Sequence, residues 1–128
     1  MTRVPIVPID DILVATVLED LSDQDAIRLQ HDLCLQIERN GAVGVLLDLS
    51  VVEIVDSFLG RLISEVVASS RLLGAETVVV GIQPAVAITL VELGLDLRGV
   101  RTALTPKKGR RLLNQLIAAS RSGIRHGH

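Results

Sequence analysis

Short aliphatic runs alternate with helix-spaced apolar sets along this chain, and that alternation restricts the fold more than any other feature of the sequence. Val4 to Ile9 and Ile12 to Leu18 read as two strands joined at Asp10-Asp11, hence a hairpin. Ser22 caps a helix with Asp25 at the capping-box position, with Ala26, Leu29, Leu33 and Ile37 on one face and Asn40-Gly41 at its end. Val43 to Leu47 is a nearly uncharged run closed by Asp48, the pattern of an interior strand in a sheet covered on both faces. A second helix starts behind Asp56, carries Leu59, Leu62, Ile63, Val66 and Val67, and stops at Gly74. Thr77 to Ile82 is rich in β-branched residues and reads as a further buried strand. Gln83-Pro84 opens a helix with proline at its first position, running to Gly94. A strand at Val100 to Leu104 and a last helix from Thr105 or Pro106 to Ala119 complete the order ββαβαβαβα.

That order places the chain in the α/β class, because alternating strands and helices need crossover connections and so build a mostly parallel sheet, here with one antiparallel hairpin at its start. At 128 residues the chain fits one domain, residues 4–119, with 120–128 as a flexible tail. The single cysteine, Cys34, excludes an internal disulfide and reads as a buried helix thiol in a reducing, cytoplasmic protein. No apolar run approaches the roughly 18 residues of a membrane span, and the start of the chain lacks the apolar core of a signal peptide. Thirteen Lys and Arg among fifteen Asp and Glu leave a net charge of −2 with no basic face for a phosphate backbone, so neither a membrane nor a nucleic acid is expected as partner. Hydrophobic residues make up 48% of the chain, yet only Phe58 is aromatic. So many aliphatics on a short chain predict that some face a second subunit.

The run from Asp48 to Phe58 carries the functional reading. It joins the interior strand to the second helix, puts Asp56 at the N-cap and sets Ser57 in the first helical turn. Backbone N–H groups there lack intrahelical partners and form the positive end of the helix dipole, so a phosphate on Ser57 meets donors and a favourable field. Asp48, Glu53 and Asp56 oppose it, and a phosphoserine of about −1.5 to −2 charges in this acidic loop changes what docks there. Phe58, beside the serine, is either a core anchor of the second helix or a contact for a partner. Both Ser57 and this loop fall at the carboxyl ends of the strands, where α/β sheets meet ligands and partners.

Enzymatic readings are weaker. Of the three histidines, His31 lies on the first helix and His126 and His128 in the tail, so none is set beside Ser57 as a base. The tail pair is too short a signal for a metal site. Neither GxxxxGK[ST] nor GxGxxG occurs, so no nucleotide cofactor is indicated. Asp48, Glu53 and Asp56 would hold a divalent cation only if their oxygens converged, and such phosphotransfer chemistry would want a lysine at a later strand end, whereas Lys107 and Lys108 stand near the last helix.

Asp48-Leu49-Ser50, Asp56-Ser57-Phe58, Gly74-Ala75 before a valine strand, Gly81-Ile82-Gln83-Pro84-Ala85-Val86-Ala87 and Leu90-Val91-Glu92-Leu93-Gly94 together resemble the STAS domain family, in particular its single-domain scaffold branch from the bacterial stressosome. The resemblance covers about Pro5 to Ala118 and implies the same ββαβαβαβα fold. It implies a non-enzymatic scaffold that assembles with sensor paralogues carrying a C-terminal STAS domain and holds a serine/threonine switch kinase until that kinase phosphorylates it. Carried onto this chain, the phosphoacceptor is Ser57 with Asp56 as its acidic neighbour, and a PP2C-type phosphatase resets it. An anti-sigma-factor antagonist that binds its kinase in a small complex is the alternative within the family. Native mass separates the two.

Overall fold

The computed structural model describes residues 4–18, 21–94, 97 and 99–126. Nine elements follow one another as β1 (Ile6–Ile9), β2 (Ile12–Thr16), α1 (Asp23–Asn40), β3 (Gly44–Asp48), α2 (Ser57–Leu72), β4 (Glu76–Val80), α3 (Pro84–Glu92), β5 (Arg101–Ala103) and α4 (Pro106–His126). The strands lie side by side in sequence order, β1-β2-β3-β4-β5. Only β1 runs antiparallel to its neighbour; β2 to β5 are parallel. The predicted class and element order are those of the structure.

Alternation along the strands divides the core into two layers. Leu13, Ala15, Val45, Leu47 and Val79 face one way, onto the buried stripes of α1 (Ala26, Leu29, Leu33, Ile37) and α2 (Leu59, Leu62, Ile63, Val66) and onto Val86 and Leu90 of α3. Ile12, Leu46, Val78 and Val80 face the other way, onto Leu113 and Ile117 of α4. Two glycines allow α4 to sit this close. A Cβ on Gly44 would lie 2.8 Å from a Leu113 methyl, and one on Gly109 would collide with a methyl of Val80.

The helix ends follow their sequence signals. Ser22 Oγ accepts from Asp25 N–H at 3.1 Å, the Asp25 carboxylate accepts from Ser22 N–H at 3.2 Å, and Gly41 closes α1 in the left-handed region at φ 62°. Pro84 occupies the first turn of α3, and Thr105 Oγ1 accepts from Lys108 N–H at 3.2 Å at the start of α4. The hairpin turns at Asp10, whose φ of 55° an aspartate tolerates.

Strand bounds shift by one or two residues where pairing decides them. β4 stops at Val80 and not at Ile82, because Gly81 turns to φ 76°. Three expectations need correction. The last helix does not end at Ala119; it continues through the segment read as a tail, and only 127–128, including His128, fall outside the described residues. Cys34 is half-buried, not enclosed. The cations are not scattered either. Residues 98–128 hold eight of the thirteen Lys and Arg and no carboxylate side chain, which sums to +8, whereas residues 1–97 hold five against fifteen Asp and Glu and sum to −10. A single count over the whole chain hid a basic face on α4.

Candidate functional site

In-register pairing aligns Thr16, Asp48, Val80 and Ala103 in one row at the carboxyl edge of the parallel strands. Asp48 therefore ends the central strand. Its carboxylate accepts from the N–H of Ser50 at 2.9 Å, an Asx-type turn that bends the chain off the sheet. Leu49 N–H donates to the Val80 carbonyl at 2.9 Å, and Val52 N–H to the Leu49 carbonyl at 3.0 Å. Leu49 and Val52 are buried, so the loop is anchored by alternate residues while Val51, Glu53 and Ile54 face outward. Ile54 is 89% exposed, more than any other large apolar side chain among the described residues.

The loop returns to helix at Asp56, extended at φ −125° and ψ 180°, whose carboxylate accepts from Leu59 N–H at 3.1 Å. Ser57 is the first residue of α2 and is exposed. No acidic side chain follows in that turn. The serine hydroxyl thus stands in solvent at the positive end of a helix of 16 residues, with one carboxylate already engaged at the cap.

Phe58 is half-buried against the α1–α2 core layer and separates two clefts. One, of about 190 Å³, lies among Val17, Leu21, Asp23, Val52, Ile54 and Asp56. The other, of about 280 Å³, lies between α1 and α2 beside Ile27, Arg61 and Glu65. Both readings of Phe58 have structural ground, since it anchors the helix start and also lines open space.

The site has a third contributor that sequence reasoning missed. Gln83 Nε2 donates to the Ser50 carbonyl at 2.9 Å, and a Cβ on Gly81 would lie 2.8 Å from that of Ser50. In the sequence Gln83 reads as the residue before a helix-starting proline and as part of the Gly81-to-Ala87 segment, with no sign of its contact to Ser50. A glycine at a strand end, followed by a polar side chain two residues on, was the available signal.

Asp48, Glu53 and Asp56 share the acidic edge but do not converge. Asp48 and Asp56 each serve a different backbone N–H, and Glu53 is exposed. Among the described residues no group of three or more His, Cys, Asp or Glu is placed to hold a metal ion. His31 is exposed on α1. No described helix is long and apolar enough to cross a membrane.

A five-stranded mixed sheet with this order and four packed helices is the architecture of a STAS domain. The STAS domain family matches residues 3–107, and the chain belongs to it. It is similar to RsbS of Moorella thermoacetica, solved as a serine-to-glutamate variant, at 43% identity and a TM-score of 0.78 over 90% of this chain and 97% of that one. It is similar also to a chain in the molecular architecture of the stressosome, a signal integration and transduction hub, at 44% identity and a TM-score of 0.77 over 88% and 97%. The RsbT co-antagonist protein RsbRA of Bacillus subtilis (strain 168) is 31% identical over 106 residues, 82% of this chain and 39% of the relative. The chain spans about two fifths of the length of the curated relatives it matches.

Proposed function

We propose that this chain is a non-enzymatic scaffold subunit of a stressosome-type assembly, and that Ser57 is its phosphorylation switch. The observation that carries the reading is the placement of Ser57: exposed, first in α2, behind a capping Asp56 and beside a cleft that already contains Asp23 and Asp56. Unmodified, this rim presents Ile54 and Phe58 to a serine/threonine switch kinase. Phosphorylation adds about −1.5 to −2 charges. The Asp56 carboxylate already occupies the Leu59 N–H, so the phosphate arrives next to an anion and the rim turns from mixed to strongly negative. Repulsion and desolvation then release the kinase.

Similarity to RsbS and to a stressosome chain supports assembly with further STAS-bearing subunits, including sensor paralogues such as the RsbRA-like relatives. RsbRA is named a co-antagonist of RsbT, so the counterpart of RsbT is the natural candidate for the retained kinase. A PP2C-type phosphatase closes the cycle.

The test is direct. Incubation with the cognate kinase and ATP, followed by mass spectrometry, is expected to place phosphate on Ser57. Ser57→Ala should accept none and hold the kinase, while Ser57→Asp, with one charge and no phosphate geometry, should weaken retention in part. Modification mainly at Ser22, Ser50 or Ser64, or equal kinase affinity for both variants, defeats the reading.

A further inference from the structure

The serine at the start of α2 has one cation within reach on its own helix. Residues 40–60 contain no Lys or Arg, and Arg61 follows directly, four residues beyond Ser57. Side chains at that spacing share a helix face, with Cβ atoms about 5–6 Å apart. Ser57, Arg61, Glu65 and Ala68 are all exposed, whereas Leu59, Leu62, Ile63 and Val66 are buried, so the row that carries the serine and the arginine is the solvent side of α2.

Arg61 has its donors to spare. Among the described residues it takes part in no ion pair and no hydrogen bond, although Glu65 stands next along the same row. Orientation accounts for this, because at this spacing an anion on the N-terminal side of a cation is favoured over the reverse order. Ser57 stands on the favoured side of Arg61 and Glu65 on the other. With a neutral serine at 57, Arg61 lines the cleft between α1 and α2 together with Phe58.

Resting on the reading of Ser57 as phosphoacceptor, we infer that Arg61 is the positioning residue of the phosphorylated state, its guanidinium pairing with the Ser57 phosphate within the same helix. The planar fork of a guanidinium matches two phosphate oxygens at once. The pair holds the phosphate against the first turn of α2 and draws Arg61 from the cleft beside Phe58. One modification then does two things at the rim: it adds negative charge and engages the only cation in the first two turns of α2. Ser57→Asp supplies a shorter group of single charge and grips Arg61 less.

The experiment encodes phosphoserine at position 57 of the full chain, so it needs no kinase. The phosphorus resonance is followed against pH at about 0.1 M salt, where the screening length is about 10 Å. An unperturbed phosphoserine loses its second proton at about pH 6. A cation that holds the dianion lowers that pKa, and an exposed helix pair strengthened by a charge-assisted fork corresponds to about 0.3–0.7 pH unit. R61Q should titrate higher than the wild type by that amount, with R61K between them. R71Q removes the same charge about 21 Å along the helix and should titrate with the wild type. Each variant is checked for native helicity. Coincident titration of the wild type and R61Q, or a shift in R71Q as large as that in R61Q, overturns the inference. A kinase that modifies another serine ends the switch reading and leaves the titration unchanged, so the two failures are told apart.

Discussion

Gln83 reaches across the carboxyl edge of the sheet and donates its side-chain amide to the Ser50 carbonyl at 2.9 Å, joining residues 33 apart in sequence. The contact ties the loop that leads to Ser57 to the junction between β4 and α3. With Asp48 holding Ser50 N–H from the other side, that residue is fixed at both of its backbone polar groups. A switch built on Ser57 thus starts from a set loop, and changes of charge at the helix start are not absorbed by slack in the approach to it.

Asp48 separates the scaffold reading from phosphoryl-transfer chemistry on an aspartate. In Asp48→Asn the side-chain oxygen still accepts from Ser50 N–H, so the turn should persist. Kinase-dependent labelling is expected to continue and to survive alkaline hydroxylamine, as a serine phosphoester does. Loss of label in either measurement would assign the acceptor to Asp48.

Removing the cap of α2 has a defined cost. Asp56→Ala leaves Leu59 N–H without its acceptor and should lower unfolding stability by about 1 kcal/mol, whereas Asp56→Asn should recover most of it. Urea titrations with unchanged slope read the difference as a shift of midpoint.

The start of α1 gives stability a pH dependence of known sign. Hydrogen bonding of the Ser22 side chain to the Asp25 carboxylate, and then of the Ser22 N–H that donates to it at 3.2 Å, together hold that carboxyl below its ordinary value of 3.8. A group whose folded pKa is depressed adds stability above its unfolded pKa and loses it as pH falls through the folded value. Melting temperatures of the wild type and Asp25→Asn should differ most near neutrality, and the gap should close as pH falls below 3.8. A gap that widens on acidification would contradict the assignment.

Gly109 tests how closely α4 approaches the sheet. Alanine there gains about 1 kcal/mol of helix propensity. The new methyl, however, meets a Cγ of Val80, a side chain with no exposed surface and nowhere to move. Overpacking costs about 1–3 kcal/mol, so sterics should win and Gly109→Ala should unfold at lower urea than the wild type.

Much of this molecule could be read from local signals, and the failures share one cause. The Ser22–Asp25 box, Gly41, Pro84 and Asp56 are contacts within four residues, so their chemistry is complete in the sequence. Strand limits depend on partners. Thr77 to Ile82 has β-branched residues enough for a longer strand, and only the positive φ of Gly81, packed on Ser50, ends it early. The same holds for Gln83, whose partner is distant in sequence. Asp48, Glu53 and Asp56 are near in number, but Asp48 and Asp56 each serve a different backbone N–H and Glu53 faces outward. The helical continuation past Ala119 and the basic face of α4 were missed because short apolar periodicity was weighed there and the run of cations was not.

Phe58 stands between the two clefts, one step from Ser57, in a chain that has no tryptophan and no tyrosine. The protein is therefore almost dark in the near ultraviolet, and whatever binds it will dominate absorbance and emission. Open space on both sides of the ring leaves room for an indole, so Phe58→Trp would place the only fluorophore of the chain at the rim of the switch. Its emission would shift as water is displaced, and arrival and departure of a partner at Ser57 could be followed in real time without a label.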